Sequence, residues 1–80
     1  MSTTAGMWRA SNGRELGRVL ARVRQQAGLT QEAMAARLGI ERTYLARMET
    51  GLATEQLQRV FAVLREVGYE LAIVEPDNDG

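Results

Sequence analysis

Apolar positions recur along this chain with a helical rhythm four times and with an alternating rhythm once. Leu16, Val19, Leu20 and Val23 share one face of a helix. Asn12 followed by Glu15 has the spacing of a capping box, so this helix is expected to open there and run to about Ala27. Gly28 then serves as the stop, and Leu29 folds back as the apolar contact that accompanies such an ending. In the next segment Thr30 is a cap, Glu32 suits the positive end of the helix dipole, and Met34 and Leu38 form an apolar stripe that Gly39 terminates. Ala35 and Gly39 are read as positions where bulk would clash with a crossing helix. Ile40, Leu45 and Met48 are the apolar positions of a third helix ending at Thr50 and Gly51. Thr54 caps a fourth, with Leu57, Val60, Phe61, Leu64 and Val67 on its inner face and Gly68 closing it.

Beyond Gly68 the period becomes two. Tyr69, Leu71 and Ile73 fall on one face and Glu70, Ala72 and Val74 on the other, a strand ended by Pro76. A lone strand in a helical chain has no partner for its backbone groups within the monomer. The same strand of a second molecule, antiparallel across a twofold axis, is the simplest one. A frayed tail lying on the helices is the competing reading. Four segments follow from this pattern: a mobile stretch at 1–10, a helical domain at 11–68, a dimerisation strand at 69–75 and an acidic flexible tail at 76–80. Trp8, in the first of these, reads more readily as an anchor packed on the domain than as a functional contact.

The two short helices hinged at Gly39 have the pattern of a helix-turn-helix, with Arg42, Thr43, Tyr44 and Arg47 on or near the open side of the second. An ordinary helical hairpin with exposed arginines is the plainer alternative. Donor-rich side chains clustered at the start of one helix favour DNA.

The chain resembles the lambda-repressor-like, or Xre/Cro, helix-turn-helix family over about residues 14 to 75, and within it the HipB-type antitoxins. The resemblance rests on Arg24-Gln25-Gln26, on Gly28-Leu29-Thr30-Gln31, on Leu38-Gly39-Ile40, on Glu49 before Gly51, and on the terminal stretch from Tyr69 to Glu75. It implies an all-α domain of four to five helices with a short C-terminal β-strand pairing across a homodimer. It also implies a repressor of its own operon that binds a HipA-like kinase toxin, and it assigns Arg24 and Glu49 to a structural salt bridge. The sequence departs from the family in two places. Glu41 stands where serine or threonine usually caps the recognition helix, and glutamate caps poorly. Residues 52–56 lack the proline-serine common before the fourth helix.

Composition narrows the function. Eighty residues without cysteine or histidine make one domain with neither a disulfide nor the usual zinc cluster as a staple. A core of this size leaves roughly 3 to 5 kcal/mol, which makes dimerisation the expected reinforcement. No apolar run is long enough for a membrane helix or signal peptide, and a cytoplasmic protein without cofactor or metal is expected. The two carboxylates at Asp77 and Asp79 read as a solvated end. Catalysis is not expected, because the commonest acid–base and nucleophilic side chains are missing and the carboxylates are not paired. The net charge of zero divides into +5 for residues 1–48 and −5 for residues 49–80. A basic first half suits phosphates, whereas an acidic second half suits a face turned away from DNA or toward a basic partner. Scatter on a solvated surface is the alternative.

In a major-groove geometry Arg42 and Thr43 read bases from the first turn and Arg47 from the next. Thr30, Gln31 and Tyr44 are placed for phosphates, with Thr50 a weaker candidate. Arg47 has a competing ion pair with Glu41 or Glu49, and Tyr44 a competing place at the helix boundary. Two alternatives to the antitoxin stand open: a stand-alone or phage-type regulator, and a protein-interaction module that reads no bases.

Overall fold

The computed structural model describes residues 7–76, and the ends of the chain, including the acidic pair Asp77 and Asp79, lie outside the described residues. Four helices and two short strands follow in the order β1 (Met7–Ala10), α1 (Gly13–Gln26), α2 (Gln31–Leu38), α3 (Arg42–Thr50), α4 (Glu55–Glu66) and β2 (Leu71–Val74). Helix α1 is the hub, packing against β1, α3 and α4, while α2 packs on α3.

The helix ends follow local chemistry. The Asn12 side chain accepts from the Glu15 amide at 2.8 Å, and the Glu15 carboxylate reaches back to the Ser11 amide at 2.7 Å. The Ser11 amide holds the Glu15 carboxyl below its ordinary value by that hydrogen bond. Thr30 and Thr54 cap α2 and α4 by accepting from Ala33 and Leu57. At the end of α2 the Ile40 amide returns to the Ala35 carbonyl at 3.0 Å around Gly39, whose φ of 69° is left-handed. A side chain at Gly39 would meet no atom within 4 Å. The glycine therefore serves backbone conformation, not clearance, which corrects the expectation that bulk would clash there. Ala35, by contrast, is buried at the crossing.

Close approach occurs elsewhere. A Cβ on Gly17 would lie 2.6 Å from the Met48 carbonyl oxygen and 2.8 Å from the Gly51 amide nitrogen. A Cβ on Gly13 would collide with the Leu52 carbonyl. The Leu52 amide donates to the Gly13 carbonyl at 3.0 Å, so the loop that lacks proline-serine is held to the start of α1.

Ala10, Val19, Ala35, Leu45 and Phe61 form the buried core. On α4 only part of the expected apolar face turns inward: Phe61 is buried and Leu57 and Leu64 are half-buried, whereas Val60 and Val67 are exposed. Leu38 is likewise exposed rather than part of a buried stripe.

The largest departure from the sequence reading concerns the terminal strand. Its partner lies in the same chain: β2 pairs antiparallel with β1 in the register Met7↔Val74, Trp8↔Ile73, Arg9↔Ala72 and Ala10↔Leu71. Two expectations are corrected, that residues 1–10 are mobile throughout and that the strand lacks an intrachain partner. The alternation itself is as read, with Leu71 and Ile73 half-buried and Ala72 and Val74 exposed. Tyr69 stands outside the strand. Its amide is used in closing α4, donating to the Leu64 carbonyl at 2.8 Å, and its side chain is exposed. Trp8 is half-buried, with the Arg22 guanidinium 5.9 Å from its ring centroid. It lines a groove of about 370 Å³ with Val23, Ala27 and Ile73.

Candidate nucleic-acid interface

The side chains of α3 divide sharply by exposure. Leu45 and Glu49 are buried, Ala46 and Met48 are half-buried, and Arg42, Thr43, Tyr44, Arg47 and Thr50 are exposed. This division follows from one turn of helical period: the residues that anchor α3 to α1 and α2 fall on one side and leave the donors on the other.

Beneath that exposed face runs a chain of hydrogen bonds. The Arg24 guanidinium donates to the Glu49 carboxylate from Nε at 2.7 Å and from Nη2 at 3.0 Å, and from Nη1 to the Leu29 carbonyl at 2.8 Å. The Arg24 and Glu49 side chains are only 11 % and 6 % exposed. A two-pronged ion pair with the extra carbonyl contact satisfies the arginine, which is what allows the pair to sit in a small core. The Arg24 hydrogen bonds, assisted by Gln31, hold the Glu49 carboxyl below its ordinary value against the opposing effect of burial. The Glu49 carboxylate in turn raises the pKa of Arg24.

Gln31 extends the chain outward. Its amide donates to Glu49 Oε1 at 2.9 Å, which leaves its carbonyl to accept from Arg42 Nη1 at 3.2 Å. Arg42, at the first position of α3, is thereby connected through Gln31 and Glu49 to Arg24 in α1. Beside the phosphate contact expected of it, the structure gives Gln31 a hydrogen bond that orients the arginine. No sequence signal distinguishes the two roles, because both need a polar amide at the start of α2.

The remaining candidates are placed as follows. Thr43, Tyr44 and Arg47 are exposed, and Arg47 has no ion pair among the described residues, so its competing pairing with Glu41 or Glu49 is not formed. Thr30 uses its side-chain oxygen as the cap of α2. Thr50 directs its hydroxyl to the Arg47 carbonyl at 2.8 Å. Glu41 occupies the cap position of α3 without a side-chain capping bond. Amides at the start of α3 therefore lack the usual side-chain acceptor.

A model of helix-turn-helix domains matches residues 15–67, more than half of the chain, from the first turn of α1 to the end of α4. The chain belongs to the helix-turn-helix domain family, of the Xre/Cro type. No match was found among curated proteins or solved structures. The family points to a DNA-binding regulator, with α2 and α3 as its helix pair. No described helix is long and apolar enough to cross a membrane.

Proposed function

We propose that this helix-turn-helix protein is a sequence-specific repressor that reads a palindromic operator as a homodimer, with α3 in the major groove of each half-site. The observation that carries the reading is the exposed row Arg42, Thr43 and Arg47 with Arg42 held by Gln31, since a guanidinium oriented before contact loses less freedom on binding. Arg42 is assigned to a guanine edge, where two hydrogen bonds discriminate by about 1 to 3 kcal/mol. Thr43 and Arg47 extend the base contacts. Thr30, Gln31, Tyr44 and Thr50 face the phosphates, and the open amides at the start of α3 suit the same anion.

The finer reading is an antitoxin that represses its own operon and binds a HipA-like kinase toxin. Its support is the resemblance to that subgroup and the acidic second half of the chain, a surface suited to a basic partner. The test is co-expression with a HipA-like kinase: a stoichiometric complex supports it, and independent elution of both proteins removes it in favour of a stand-alone regulator.

DNA reading is tested by a salt-resolved titration against duplex from the protein's own promoter, beside a scrambled duplex. Selective binding should vanish in the Arg42→Ala, Arg47→Ala double variant, while a weak, salt-sensitive background remains. Equal affinity for both duplexes at low salt would overturn base readout and leave a protein-interaction module.

A further inference from the structure

Helix α4 has a second apolar face. Val60, Val63 and Val67 are 43 %, 63 % and 61 % exposed, although Phe61, Leu57 and Leu64 already supply its inward face. With 3.6 residues per turn these valines and Gln56 lie on one stripe, spaced four, three and four residues apart. That is the spacing of a helix–helix seam. Two β-branched residues of one short helix and a third, Val67, at its C-terminal cap stand in water without explanation in the fold of the monomer.

The charges beside the stripe identify the occupant. Arg59 and Glu66 both border it on the side away from Leu57 and Leu64. An antiparallel, twofold pair of helices brings like borders together. With Val60 of one copy opposite Val63 of the other, and reciprocally, Arg59 of each copy falls beside Glu66 of its mate. The surface is thus complementary to itself in charge as well as in shape. Helix α4 also carries two acidic and two basic residues, whereas a face addressed to DNA or to a strongly charged protein would be of one sign. Arg59 now pairs with Glu55 at 2.9 Å, but both side chains are more than three-quarters exposed, and such pairs exchange partners at little cost.

We infer that a second copy of this chain docks on the Val60, Val63 and Val67 face of α4, as an antiparallel helix pair with reciprocal Arg59 and Glu66 contacts. This deepens the reading of the protein as a two-half-site DNA binder by naming the surface that joins the copies, and it places the seam on α4 rather than on the outer edge of β2.

The experiment is sedimentation equilibrium of the full chain without DNA, with circular dichroism to verify folding of each variant. The wild type should be dimeric. Val63→Glu should raise the dissociation constant on the order of 100-fold, because each carboxylate is then buried against Val60 of the mate without a partner, and Val63 is too exposed for its replacement to unfold the monomer. Arg59→Glu and Glu66→Arg should each weaken association about tenfold, and the double exchange should restore it. A monomeric wild type, a dimer indifferent to Val63→Glu, or a double exchange no better than the singles would overturn the inference. The readout contains no DNA, so a stable α4 dimer that fails to select its promoter would sink the repressor reading and leave this one intact.

Discussion

Glu49 is the residue on which the interface and the core meet. Its carboxylate receives Arg24 from α1 and Gln31 from α2, and Gln31 passes the constraint to Arg42. Because Arg24 and Gln31 hold the folded-state pKa of Glu49 below its ordinary value of about 4.5, the charged form is favoured in the folded chain. The stabilisation is therefore complete above that value and is lost as pH falls through the lower folded value. Thermal melts from pH 6 to pH 3 should show a steeper loss in the wild type than in Glu49→Gln; parallel curves would deny the pair a role in acid stability. Glu15 shifts in the same direction, so Glu15→Gln is the matching control. Gln31→Ala releases Arg42 and removes the proposed phosphate donor together. It is expected to reduce promoter affinity about tenfold and to lower selectivity as well, which separates it from a contact that serves phosphate alone. A loss identical on promoter and scrambled duplex would reduce Gln31 to phosphate binding.

The element scale turns on how closely α1 can approach α3. Glycine inside a helix costs about 1 kcal/mol relative to alanine, so Gly17→Ala gains on propensity alone. Its Cβ, however, would press on the backbone of Met48 and Gly51, which cannot rotate away as a side chain can. Forcing packed elements apart costs about 1 to 3 kcal/mol, so the variant is expected to be destabilised and its α3 displaced. A higher melting temperature for Gly17→Ala would refute this. The close approach at Gly17 was not read from the sequence, because it depends on which distant element packs there. Helix α4 teaches the complementary lesson. Its apolar residues cover so much of the circumference that periodicity could not say which of them face the core; Val60 and Val67 face outward because α1 engages only the Phe61 side.

For the whole molecule the chain ends decide the architecture. Strands β1 and β2, more than sixty residues apart in the chain, close on each other and cover the side of α1 that carries Val23. Trp8 is the only tryptophan, so its fluorescence reports the docking of this sheet. In a denaturant titration its red shift is expected to coincide with loss of the helical circular dichroism signal, one cooperative transition. An earlier fluorescence transition would mark the sheet as a separately melting unit. The charge division has the same global character: the first half of the sequence holds the exposed arginines of α3, and seven of the ten acidic residues fall from Glu49 onward.

The helices, their caps and stops, the helix-turn-helix spacing and the candidate DNA-reading side chains were determined by the sequence alone, because each depends on residues within a few positions of one another. The Arg24 and Glu49 pair was legible only through resemblance. The partner of the terminal strand was not, since Met7–Ala10 is too short to declare itself and pairs only when α1 brings the two ends together. Tertiary structure likewise decided that Gln31 bridges Glu49 to Arg42 and that half of the apolar surface of α4 is left outside, because side-chain partners and burial depend on which distant elements meet.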